Sequence, residues 1–521
     1  MTYHVACWLV GSARSFDGAR WESPPIVAVI KVDLDRVIGP VDRRILGAFA
    51  EHLGRCIYGG VFEEGSPLSD SDGFRRDVID AARRLKPPLL RWPGGNFVSG
   101  YHWADGIGPR EGRPRRMDLA WHAEETNHFG TDEFMRFCEL IGAEPYVCVN
   151  MGTGSLDEAQ AWVEYCNGAG NTFWANKRRD NGREEPYGVQ LWGLGNEMYG
   201  PWQIGARSAD EYVNLAREFA KVMSWTDPSI ELVSCGEFGW GDWDRVVLEG
   251  LAEFVRYHSL HLYTGSEDYW QNVLAPHQVE RALRITGALI EQVRHNQRIR
   301  HPIYVAYDEW NVWFRERDGR EGLEERYTLA DALAVATYLH TFVRHSDLVR
   351  VANQAQLVNV IAPIVTSPDG LFLQSTYHPL RLFADHLGSV SLENYVSCPH
   401  HELVEPEEPN PWPHRVADQG PFPVLDAVAT FQPEAGKLML SVINRDPVSD
   451  VTAEIRLAQG IEARTAVVEE LNATSTSSTN SFAEPDNVRV EPGTIEKFRD
   501  GATHTFPAHS MTVISVDYVA D

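Results

Sequence analysis

Two glutamates close apolar runs in this sequence: Glu197 in VQLWGLGNEMYG (189–200) and Glu309 in IYVAYDEW (303–310). A pair of carboxyl groups brought together is the equipment that cleaves a glycosidic bond. One, kept protonated, gives its proton to the leaving oxygen. The other attacks the anomeric carbon or activates a water that does so. Two neighbouring carboxylates do not both ionise freely, so one pKa is pushed up and supplies the acid. Either motif alone is commonplace, because a Glu at a strand end is usually just solvated. The pair gains meaning only if the fold sets the two runs face to face.

Further polar residues end similar runs: Glu51, His52, Arg91, Asn96, Asn196, His261, Tyr263, Asp308 and Gln356, with Trp310 directly after Glu309. Tyr263 is suited to donate a hydrogen bond to a nucleophilic carboxylate, and His261, two residues before it, shares its strand face. Asn196, beside Glu197, is suited to bind a sugar 2-hydroxyl. Trp202, Trp310 and Trp313 are candidate stacking platforms. There is no metal-like His cluster and no Gly-rich dinucleotide fingerprint after the first strand, so neither metal nor cofactor is expected. Gly94-Gly95 reads as a tight turn placing Asn96 rather than as a phosphate loop. Arg110, Arg113, Arg115 and Arg116 read as solvated or ion-paired, with a subunit contact open.

The elements that must position these residues recur regularly. Eight β-rich runs end in GAFAEH (47–52), LLRWPGGN (89–96), PYVCVNMG (145–152), VQLWGLGNE (189–197), ELVSCGE (231–237), YHSLHLY (257–263), IYVAYDEW (303–310) and VANQAQLVN (351–359). Helical patterns lie between them. One is 208–225, opened by a Ser208/Glu211 capping box; another is 277–296. This alternation over 39–365 predicts an α/β fold, a (β/α)8 TIM barrel with enlarged loops. Active sites of such barrels sit at the C-terminal mouth, where strands four and seven face each other across the opening. From 366 to 521 helical periodicity gives way to short alternating runs, which predict a C-terminal antiparallel β-sandwich, jelly-roll-like. PEEPNPWP (406–413) is a connector. Residues 1–38 read as a loose arm followed by a strand (26–38) that joins the sandwich.

Bulk properties narrow the partners. With 47 basic and 74 acidic residues the net charge is −27, which repels phosphate backbones and anionic lipid; nucleic acid and membrane are poor partners, and a neutral substrate is unaffected. The seven cysteines are scattered, without CxxC spacing, as in a reducing compartment. No apolar run approaches the roughly 20 residues of a membrane span, and the N-terminus lacks a signal-peptide pattern. A cytoplasmic location is expected.

The sequence resembles glycoside hydrolase family 51, the α-L-arabinofuranosidases of the retaining barrel glycosidase clan. The resemblance rests on EHLGRCIYGGVFEEGSP (51–67), the long block from RWPGGN to FGTDEF (91–134), WGLGNEMYGPWQIG (192–205), SLHLYTG (259–265), YDEWNVWF (307–314) and ANQAQLVNVIAPI (352–364). It implies that Glu197 is the general acid/base and Glu309 the nucleophile of a double displacement, their carboxyls about 5–5.5 Å apart. Glu51, Arg91, Asn96, Asn196, His261, Tyr263, Trp310 and Gln356 would hold the furanose or the nucleophile. Terminal α-L-arabinofuranosyl residues of arabinose-containing saccharides would be the substrate, and a homo-oligomer, a hexamer, the assembly. A galactofuranoside, β-xyloside or β-glucan hydrolase is the alternative, and a non-catalytic sugar-binding barrel a weaker one. Departures from the usual family pattern fall at Trp92, Gly193, Tyr199 and Thr264.

Overall fold

The computed structural model describes residues 28–315, 323–404, 415–457 and 465–517. The N-terminal arm and the 406–413 connector lie outside the described residues. Eight parallel strands close into a barrel: Gly47–Phe49, Leu89–Trp92, Glu144–Cys148, Leu191–Leu194, Glu231–Ser234, Tyr257–Thr264, Tyr304–Val312 and Val349–Ala355. They pair in chain order, the eighth hydrogen-bonded to the first. All eight strand runs read from the sequence are present.

Inward-pointing Leu89, Tyr146, Cys148, Leu191, Val233, Ala306 and Val351 fill the barrel floor. Outward-pointing neighbours such as Leu90, Trp92, Leu232 and Val305 pack under the helices, as the two-residue period of a strand requires. The helix Ala209–Thr226 opens with the Ser208/Glu211 capping box, each side chain bonded to the other's backbone N–H. It buries Tyr212, Val213, Ala216, Phe219, Ala220 and Met223, one face at helical spacing. Each large apolar side chain so buried contributes roughly 1.5–3 kcal/mol.

The seventh strand breaks its own period. Its pairing with the sixth runs from Ala306↔Ser259 to Glu309↔His261, so one extra residue is inserted between the two registers. Such a bulge re-aims side chains. Asp308 and Glu309 consequently both face the barrel axis, and Trp310 faces outward.

The C-terminal part is a nine-stranded ladder in the order Arg489–Glu496, Thr465–Asn472, Ser510–Asp517, Lys437–Asn444, Leu425–Gln432, Val390–Ser397, Ala28–Pro40, Val451–Leu457 and Ala502–Phe506. It folds over on itself: Ala453, Ile455 and Phe506 from one end share a core with Leu440, Val468 and Ile514 from the other. Every pairing is antiparallel except one, 28–32 running alongside 453–457. The helix Leu329–Arg344 is buried on every side along Leu329–Val343, because the barrel covers one flank and the ladder the other.

Candidate active site

The C-terminal mouth of the barrel opens into a cavity of about 690 Å³, within the range of small-molecule sites. Glu51, Asn96, Glu197, His261, Tyr263, Glu309 and Gln356 line it, together with Trp202 and Trp313.

Glu309 is held from both sides. Tyr263 Oη donates to its Oε1 at 2.7 Å and Arg91 Nη1 to its Oε2 at 2.7 Å. Both are short and directional, and the Arg91 bond is charge-assisted by its guanidinium. Arg91 is itself buried: Nη2 reaches Asn196 Oδ1 at 2.6 Å and Nη1 the Asp308 carbonyl at 3.2 Å. Asn196 completes the strut with a longer 3.3 Å bond to Gln203.

Glu197 stands at the end of the fourth strand, after Gly195 (φ 80°), and itself has φ 44°. A non-glycine residue there costs roughly 1–2 kcal/mol, and the turn throws its side chain into the cavity. Its Oε1 lies 2.9 Å from His261 Nδ1 and its Oε2 accepts from Trp202 Nε1 at 2.7 Å. Burial alone would raise its pKa; the bonds to His261 and Trp202 and the charges of His261 and Arg91 outweigh that and hold it below the usual range. One oxygen of Glu197 and one of Glu309 lie within 4.8 Å of each other.

Glu51 is a third carboxyl in the same cavity. Phe97 N–H and Trp121 Nε1 donate to its Oε1 at 3.0 Å, and Gln356 Nε2 to its Oε2 at 3.1 Å. Burial, then the Glu309 charge, push it up to about 8 despite those donors. The glycines at 94 and 95 are explained here: a Cβ on Gly95 would collide with the Glu51 carboxylate. The turn that delivers Asn96 passes that close to Glu51.

Two readings from the sequence need correction. Trp310 does not reach the cavity: it is fully buried behind the barrel wall, its ring 4.8 Å from Tyr338 and 5.3 Å from Phe342. The bulge that turns Glu309 inward turns Trp310 out. His261 is on the wall but has no free donor for a sugar, since Nε2 faces Asp308 Oδ1 at 3.2 Å while Nδ1 faces Glu197. Arg91 does not line the cavity; from beneath the wall it bonds Glu309, the carboxylate it is read as holding. His52 turns away into the core, stacked on Phe97 and bonded to Glu125 at 2.8 Å. The arginine cluster is ion-paired, Arg110 and Arg113 with Glu133, Arg115 with Glu124, and Arg116 with Asp105.

The sequence reading missed Trp121, Phe238, Phe314, Leu323, Val360 and Ile361 on the cavity wall. They come from loops after the strands, where no periodicity marks a facing direction; the concentration of aromatics around 121, 238 and 313–314 was the available signal.

Comparison with known proteins now decides the family. An α-L-arabinofuranosidase 1 domain model matches residues 81–281, and an α-L-arabinofuranosidase C-terminal domain model matches 308–510. The α-L-arabinofuranosidase C of Emericella nidulans is 43% identical over 510 residues, covering 93% of this chain and 96% of its own. A family 51 α-L-arabinofuranosidase structure from Thermotoga petrophila is 42% identical with a TM-score of 0.88, covering 94% of this chain and all of its own. The chain belongs to glycoside hydrolase family 51. The intracellular exo-α-(1→5)-L-arabinofuranosidase 1 of Bacillus subtilis is a further relative, 41% identical over 432 residues, with 80% of this chain and 84% of its own covered.

Against the family pattern, two departures have structural partners. Trp92 lies in the core, its Nε1 donating to His52 Nε2 at 3.1 Å. At Gly193, a Cβ would stand 2.8 Å from Cys148 Sγ and 3.0 Å from Tyr146 Oη. The third strand has filled the space that a side chain on the fourth would occupy.

Proposed function

We propose that this family 51 protein is a retaining, exo-acting α-L-arabinofuranosidase that releases terminal non-reducing α-L-arabinofuranosyl residues from arabinose-containing oligo- and polysaccharides by double displacement. The observation that carries the reading is the approach of Glu197 and Glu309, with an oxygen of each within 4.8 Å of the other. Carboxyls in retaining sites stand about 5–5.5 Å apart, whereas inverting sites leave about 6.5–9.5 Å for a water. The asymmetry of their partners assigns the roles. Glu309 accepts from Tyr263 and Arg91 on its two oxygens and is oriented to attack the anomeric carbon. Glu197, on the opposite strand, protonates the leaving oxygen and then activates water. Glu51, Asn96 and Gln356 hold the ring hydroxyls, with Asn196 bracing Arg91 beneath them; Gln356 Oε1 is buried without a hydrogen-bond partner and offers an acceptor. The exo preference draws on the name of the Bacillus relative.

Product analysis and azide trapping test the reading together. NMR of early hydrolysis should show the α-anomer of arabinofuranose forming first; a β-anomer would overturn double displacement. Glu197→Ala with azide should yield the azide of retained configuration, and Glu309→Gly that of inverted configuration. The opposite outcome would exchange the roles. A panel of nitrophenyl furanosides and pyranosides settles the sugar, arabinofuranoside being the expected best substrate.

The same proposal places the chain inside the cell, in line with the Bacillus relative's name and with six described cysteines that are all free and buried. No described helix is long and apolar enough to cross a membrane. Assembly as a homo-oligomer, the hexamer implied by the family, is tested by light scattering.

A further inference from the structure

Double displacement as usually drawn gives His261 no task, yet the site is built around it. Glu197 faces it from the fourth strand at 2.9 Å, and Asp308 and Glu309 from the seventh at 3.2 and 3.7 Å. Arg91, from the second strand, is the one guanidinium among the described residues bonded into this group. Asp308 is pinned in turn by Tyr146 Oη at 2.6 Å and by Ser259 Oγ. Among the described residues the oxygens paired with the ring nitrogens all belong to carboxyl groups, and a neutral imidazole carries only one N–H.

The same heavy-atom geometry accepts one proton in either of two places. It can sit on Nδ1, leaving Glu197 a carboxylate and the ring an imidazolium. It can instead sit on Glu197 Oε1, with a neutral ring accepting at Nδ1 and donating its Nε2–H to Asp308.

We propose that His261 stores the proton that Glu197 delivers to the leaving group, with Asp308 as the positioning residue that fixes the Nε2–H tautomer. The inference rests on the acid/base role proposed for Glu197. In the first step the Nδ1–H bond breaks and the proton crosses to the Glu197 carboxyl. From there it goes to the glycosidic oxygen as the bond from that oxygen to the anomeric carbon breaks. Glu309 forms the new bond to that carbon. In the second step a water oxygen replaces Glu309, and the proton it sheds returns through Glu197 to Nδ1. The positive charge on His261 vanishes together with the negative charge on Glu309, so the buried site never changes its net charge. A burial that by itself would strip the ring of its proton is overcome by Glu309, Asp308 and Glu197, which raise its pKa to about 10.

His261→Asn keeps a donor near the position of Nδ1 but has no proton to give. Its kcat/KM should fall about 10²–10³-fold on methyl α-L-arabinofuranoside, whose leaving group needs an acid. On the 4-nitrophenyl glycoside, which leaves unaided, the loss should stay under about tenfold. Equal losses on both substrates, or no loss on either, would overturn the proposal. A readout independent of turnover is the 15N spectrum of the intact protein with labelled histidine, assigned with the same variant. Both ring nitrogens of His261 should be protonated at pH 7, and Asp308→Asn should move the titration to lower pH. A neutral ring at pH 7 in the unsubstituted protein would overturn the proposal. Normal azide rescue of Glu197→Ala alongside a failed His261 test removes this inference alone; loss of the rescue removes the acid/base reading beneath it.

Discussion

Two buried polar clusters in this molecule use the same residue types to opposite ends. At the joint between barrel and ladder, Asp426 is shared by Arg344 (2.8 Å), Arg445 (2.7 Å) and His340 (3.1 Å), and His340 passes its other nitrogen to Ser441 at 2.8 Å. At the mouth, Arg91 stands alone among Glu51, Glu197, Asp308 and Glu309. The joint has cations to spare. Burial works against the Asp426 anion, but Arg344, Arg445 and His340 hold it well below the usual carboxylate range, and burial pushes His340 down. At the mouth the cations run short, so protons make up the balance: Glu51 is pushed up to about 8 and His261 up to about 10. A cluster whose charges close among fixed groups is a fastener. One that closes only by holding protons is a reagent.

The contrast can be broken from either side. Glu309→Gln should leave the protein folded and reduce kcat by at least about 10⁴-fold, because it removes the carboxylate on which the proposed covalent intermediate forms; circular dichroism and steady-state rates check both halves. Asp426→Ala should do the reverse. It leaves Arg445 buried and Arg344 half-buried without their anion and should cost about 3–5 kcal/mol of stability, read as a lowered denaturation midpoint, with kcat of the folded fraction falling far less than in Glu309→Gln.

A subtler test uses Glu51. Its folded pKa lies above its unfolded one, so between the ordinary carboxylate range and about 8 the folded state binds the extra proton. This group's contribution to stability is therefore present at low pH and is lost as pH rises through that window. Glu51→Gln should flatten the fall in thermal stability between pH 5 and 8; an unchanged slope would show that Glu51 ionises normally. The smallest effect belongs to Trp310→Phe. With Nε1 buried and unpartnered, the substitution should cost less than about 1.5 kcal/mol and leave KM unchanged. A raised KM would return Trp310 to the sugar site.

The mouth was far more legible in the sequence than the joint. Eight apolar runs ending in polar residues locate the barrel strands, because one element contributes both the run and its terminal side chain. Glu197 and Glu309 follow from counting strands. Trp310 stands directly after Glu309 in the sequence, and the inserted residue at the bulge, which sends Glu309 inward and Trp310 out, leaves no mark in a single sequence. Trp121 was missed because a long loop delivers it. The joint could not be read at all: Asp426, Arg445, His340 and Arg344 come from separate strands and a helix, and nothing local says that they meet. The parallel pairing of 28–32 with 453–457 is hidden for the same reason, more than four hundred residues of chain lying between.

The helix Leu329–Arg344 gives the two proposed reactive groups unequal anchorage. The strand carrying Glu309 leans through Trp310 on Tyr338 and Phe342 of that helix, and the helix is bolted through His340 and Arg344 to Asp426 of the ladder. The strand leading to Glu197 is braced instead by a barrel helix, Tyr212 Oη of Ala209–Thr226 donating to the Leu194 carbonyl at 2.8 Å. Damage to the C-terminal ladder should therefore travel forward along this prop and loosen the nucleophile first, long before the proton donor feels it. What looks like an appendage to the barrel is the backstop against which the proposed nucleophile is aimed.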